Sequence, residues 1–158
     1  MIPKEVAELF SLLIKPEQSE LDRQFENAIE TIARRAAARG SLASGNTLVA
    51  VVNEAGLSFE ARASAALAAF RRSCEAFGIH FSSKLSAETL SLLDAFLVGE
   101  TSKLEDILRN SAVFRSVSAP SAHEAAMRIL ADKVALQTAR LKAEVTLAAI
   151  TGDREMLG

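Results

Sequence analysis

Residues Gly40 to Thr47, GSLASGNT, carry the glycine spacing and closing threonine of a phosphate-binding loop. Asn46 stands where such a loop has the lysine that brings positive charge to the β- and γ-phosphates. The loop must also follow a buried strand. Here it follows IARRAAAR, Ile32 to Arg39, a helical segment with three arginines. Charge and context both fail, so the stretch reads as a turn between helices. Gly40 is the residue just past one helix, and Ser44 or Asn46 caps the next.

Other reactive groups are sparse. Cys74 and His80 could meet across the Gly78 turn as a thiolate–imidazole pair, but no third residue is placed to orient them. A buried helical cysteine acting as a small hydrophobe fits better. Di-iron bundles place Glu-x-x-His on one helix face, yet Phe77 and Pro120 stand three residues before His80 and His123. His80 with Lys84 resembles a phospho-accepting histidine on a helical bundle, with the lysine one position too far and no glycine after it. The acid rows Glu5/Glu8, Glu17/Glu20 and Glu26/Glu30 and the pairs Arg34-Arg35 and Arg71-Arg72 suit solvated helix faces. No catalytic residue, cofactor or metal site is expected.

VNEAGLS, Val52 to Ser58, resembles the corner of a DNA-reading helix-turn-helix. That resemblance implies a small DNA-binding regulator built on residues 46–78. Arg62 occupies the position where the motif needs a buried aliphatic residue, and the following helix is long for a recognition unit. The net charge of −2 and pI near 5.8 supply no basic surplus to neutralise phosphates. An ordinary helical hairpin is the better reading, and no nucleic-acid partner is expected.

The elements holding these residues are helical. The 158-residue chain has 29 alanines, eight phenylalanines and neither tryptophan nor tyrosine. Alanine is the strongest helix former, whereas strands favour β-branched and aromatic residues. Apolar residues make up 49 %, enough for one domain, residues 1–158, with a real core. The lone Cys74 fits a reducing compartment. With no signal-like core and no apolar run of membrane-spanning length, a cytoplasmic protein without membrane contact is expected, and export without a cleaved signal is compatible.

Breakers then divide the chain. Pro16 ends a short helix, Gly56 and Gly99 end two more, and Ser102 and Ser121 open helices with capping-box spacing. This predicts an all-α bundle of six or seven helices, with 17–39, 58–77 and a C-terminal 121–150 as the long members. No polar residue is read inside an apolar run.

The last helix carries two apolar stripes. One runs through Met127, Leu130, Val134, Leu141 and Val145, the other through Ile129, Leu136, Ala143, Leu147 and Ile150. A helix apolar on two sides is either central in its bundle or shared with another chain. The second stripe is therefore the expected interaction surface. The function it suggests is non-enzymatic protein–protein interaction, as an adaptor, chaperone-like or assembly component that self-associates or holds a protein partner. A helical pocket for an apolar ligand near Phe59, Phe70, Phe77 and Phe81 is the further alternative.

Overall fold

The structure, a computed structural model describing residues 1–157, contains five helices and, among the described residues, no strand. They are α1 (Lys4–Ala38), α2 (Gly45–Ala76), α3 (Ser83–Arg109), α4 (Ala112–Ser116) and α5 (Pro120–Leu157). The all-α class and long C-terminal helix agree with the sequence reading; the helix count of six or seven does not. Among the described residues no helix is long and apolar enough to cross a membrane.

The expected breaks at Pro16, Gly56 and Gly99 all lie inside continuous helices. Proline in a helix interior costs about 3 kcal/mol, glycine about 1. Long-range burial outweighs these local penalties. Val6, Phe10 and Ile14 before Pro16 share one buried face with Phe25 and Ile29 after it. Each such side chain contributes about 1.5–3 kcal/mol on burial. Pro16 itself faces solvent, where the carbonyl it leaves unbonded can be hydrated. In α3, Leu93, Leu97, Leu104 and Leu108 likewise form one buried row across Gly99.

Two glycines do end helices. Gly40 (φ 68°) follows α1 and Gly78 (φ 65°) follows α2, both in the left-handed region open to glycine. In each case the chain closes with paired hydrogen bonds: Gly40 and Ser41 donate to the Ala37 and Ala36 carbonyls, Gly78 and Ile79 to those of Glu75 and Cys74. Ser44 caps α2 by accepting the Thr47 N–H at 3.2 Å. GSLASGNT is thus the α1–α2 connection. Helix α3 stops at Arg109, and Ser111 caps the short α4, whose Val113 and Phe114 plug the core. Neither capping-box serine caps a helix: Ser102 lies inside α3, and Pro120 already holds the first position of α5.

Helix α2 is the centre of the bundle, packed against α1, α3, α4 and α5. Its Phe59 and Phe70 are fully buried, and Phe10 of α1 meets Phe70 edge-on at 6.4 Å. Helix α5 lies across the outside, seated on α2 and α3. The possibility that α5 is the central helix is corrected here: that place belongs to α2.

Candidate interaction surface on the outer face of α5

Helix α5 is built with one face for the core and another that, among the described residues, stays largely open to solvent. Ala126, Leu130, Leu141, Val145, Ala149 and Gly152 are buried, and Met127 and Val134 pack beside them. Turned away from this face, Leu136 is 51 % exposed, Leu147 64 % and Ile150 47 %. Ile129, another member of the expected stripe, is half-buried and packs against the core instead. Between the exposed leucines lie Ala139 and Ala143, also exposed. At 3.6 residues per turn, Leu136, Ala139, Ala143, Leu147 and Ile150 fall within about 40° of one line along the helix.

Grooves flank this stripe on the α2 side. One, of about 350 Å³, runs between Glu60, Ala63, Leu67 and Arg71 of α2 and Gln137, Arg140 and Glu144 of α5. It continues past Arg71 and Glu144 toward His80, Leu147 and Thr151. At its other end, the exposed Leu57 of α2 lies beside Leu136. The walls mix small apolar residues with charges of both signs and stay open to solvent, a shape suited to another surface more than to an enclosed small molecule.

The C-terminal part of α5 is clamped in place. The His80 Nε2–H donates to the Gly152 carbonyl at 2.7 Å, and the Asp153 carboxylate accepts the Ser83 N–H at 3.1 Å, capping α3 from outside. Hydrogen bonding from Ser83 holds the Asp153 carboxyl below its ordinary 3.8. Gly152 is the contact point, since a Cβ there would lie 1.7 Å from the Phe81 carbonyl oxygen.

The other groups weighed for chemistry have structural occupations. Burial, with the nearby Glu75 charge second, pushes the Cys74 thiol up and away from thiolate. His123 donates from Nε2 to the Phe114 carbonyl at 2.9 Å. Phe59 and Phe70 are core, Phe81 meets Phe70 edge-on at 6.1 Å, and Phe77 is exposed, so the four phenylalanines do not converge on one cavity. Val52–Ser58 is uninterrupted helix, so neither the helix-turn-helix corner nor the ordinary hairpin exists there. Among the described residues no cluster of three potential metal ligands occurs.

One cluster escaped the sequence reading. Arg62 is fully buried in α2, with Nη1 at 2.6 Å from Asp22 of α1 and 3.3 Å from Glu100 of α3, and Nε donating to Ser58. Lys103 bridges the same two carboxylates at 3.1 and 3.2 Å. Gln18 donates to Glu100. Two cations and two anions cancel, and the group ties three helices together; among the buried side-chain polar atoms of the described residues only the Arg62 Nη2 lacks a partner. The expectation of no polar residue inside an apolar run is thereby corrected. Arg62 continues the row of Phe59 and Ala66, and Glu100 that of Leu97 and Leu104. A charged residue of opposite sign within each of two buried rows was the signal available. Comparison with known proteins adds no functional constraint: no protein-family model, no curated protein and no solved structure matches the chain.

Proposed function

We propose that the protein is a non-enzymatic helical interaction module, an adaptor, chaperone-like or assembly component whose contact surface is the outer stripe of α5. One observation carries the reading. Leu136, Leu147 and Ile150 stay about half exposed or more on a helix whose opposite face already supplies the core. Burying each is worth about 1.5–3 kcal/mol, and contiguous exposed apolar surface of this kind marks protein contact sites. The engagement of Cys74, His80, His123 and Arg62 in packing and hydrogen bonds supports a structural role for the groups that chemistry would otherwise use.

The test is the pair Leu136→Glu and Leu147→Glu. Combined, they should leave the helical spectrum and melting temperature close to wild type while abolishing assembly, read as mass by light scattering. Unfolding of the double variant would mean that the stripe is core, and would end this reading.

A further inference from the structure

The ends of the outer stripe differ in charge. Asp132 lies on the same side of α5 one helical step before Leu136, and Arg154 one step after Ile150; both are exposed. Measured from Ala143, Asp132 is eleven residues toward the N-terminus and Arg154 eleven toward the C-terminus, while Leu136 and Ile150 are each seven away. At 100° per residue all five fall within about 20° of one line. Among the described residues neither Asp132 nor Arg154 forms an ion pair.

From this arrangement we infer that the occupant of the α5 surface is a second copy of the chain, its α5 running antiparallel about a two-fold axis at Ala143. The inference rests on the reading of that stripe as an interaction surface. Antiparallel pairing sets Leu136 against Ile150 of the second copy, and Asp132 against its Arg154, twice over by symmetry. Ala143 meets its own counterpart on the axis, with Ala139 nearby, and such small residues let two helices approach closely. Parallel pairing in register would set Asp132 against Asp132 and Arg154 against Arg154. The charge pattern therefore selects direction as well as partner, in the way flanking charges choose partners in coiled coils.

Charge exchange tests this on the full chain. The wild type should have a mass of twice 16.9 kDa by sedimentation equilibrium. Asp132→Arg and Arg154→Asp should each weaken the dimer by about tenfold, since exposed ion pairs contribute modestly and two reverse sign at once. The two changes together should restore it. In a Cys74→Ala background, Ala143→Cys should give a disulfide-linked dimer under mild oxidation. Leu136→Cys should not, because antiparallel pairing separates it from its copy by about 21 Å along the helix. Cross-linking through Leu136→Cys, or no rescue by the double exchange, would overturn the antiparallel arrangement while the Leu136→Glu, Leu147→Glu result still judges the surface itself. A wild type that stays monomeric at high concentration would overturn the second copy as occupant, whatever that surface then proves to bind.

Discussion

Helices α2 and α5 are both long and alanine-rich, yet the bundle uses them in opposite ways. Fifteen residues of the 32 in α2 are buried, against six of the 38 in α5. In α2 alanine is a spacer: Ala55, Ala63, Ala66 and Ala69 are buried between larger side chains, so four other helices can approach. In α5 the outer alanines, Ala139 and Ala143, face solvent. The same composition thus builds a helix that four others pack against, with one narrow exposed stripe, and a helix covered on one face only. What separates them is where the large apolar residues fall relative to neighbours. The surplus apolar surface of α5 is what remains after the core is complete.

The comparison breaks most severely at Arg62, the charged centre of α2. Arg62→Ala should cost about 3–5 kcal/mol, the penalty for leaving the buried Glu100 carboxylate with a partner removed. At about 2–4 °C per kcal/mol for a chain of this size, the melting temperature should fall by roughly 6–20 °C. Glu100 is 2 % exposed and would keep only Lys103 and Gln18. Arg62→Met should cost clearly less if Glu100→Leu accompanies it, because a well-packed apolar replacement avoids the orphaned charge. An Arg62→Ala variant as stable as wild type would mean that α2 is not held by this cluster.

Next in size is the tight contact of α5 at Gly152. Gly152→Ala would drive a Cβ into the Phe81 carbonyl, a backbone atom that cannot swing aside. The expected loss is about 1–3 kcal/mol, the usual cost of overpacking. It should fall on the C-terminal clamp, so hydrogen exchange should rise around His80 to Ser83 before it rises in α1. A globally uniform loss would show that the end of α5 is as integral as α2.

A smaller effect follows from Asp153. Its carboxyl is depressed in the folded state, so its contribution is present above the unfolded value and is lost as pH falls through the folded one, below 3.8. The melting temperature of Asp153→Ala should therefore lie below wild type at neutral pH, and the two should converge as acid protonates the carboxylate. A difference unchanged down to strong acid would remove the carboxylate from the clamp.

Much of this contrast could be read along the chain, and the part that could not has a common cause. Gly40, Ser44 and Gly78 act within a few residues of themselves, so local reasoning finds the turns they make. The two-sided pattern of α5 is periodic within one helix and was equally visible. Pro16, Gly56 and Gly99 have weak local preferences overruled by burial against distant helices, so the helix count came out too high. Ile129 shares the spacing of the exposed stripe, but other elements cover it, which spacing alone does not reveal. Along the chain Arg62 reads only as a misfit to the helix-turn-helix pattern, because Asp22 and Glu100, which give it its role, stand 40 and 38 positions away.

The finest test of the difference between the two helices is Gly56, where α2 and α5 touch. A Cβ there would lie 2.4 Å from Cδ of Lys133, and the other near atoms belong to the same flexible stem. Lys133 is half-buried and, among the described residues, makes no ion pair, so its stem can move toward solvent at little cost. Alanine in a helix interior is favoured over glycine by about 1 kcal/mol. The displaced stem offsets part of that gain, so Gly56→Ala should stabilise the protein by less than about 1 kcal/mol. The melting temperature should rise by a few degrees at most, as about 2–4 °C accompanies each kcal/mol. The signs at Gly56 and Gly152 should therefore be opposite, although both glycines are buried at contacts with α5. A side chain yields where a carbonyl does not. If Gly56→Ala destabilises by more than about 1 kcal/mol, the overpacking cost applies there too. The seam between α2 and α5 would then be as rigid as the core, and α5 would lose its distinction as a helix laid over the bundle.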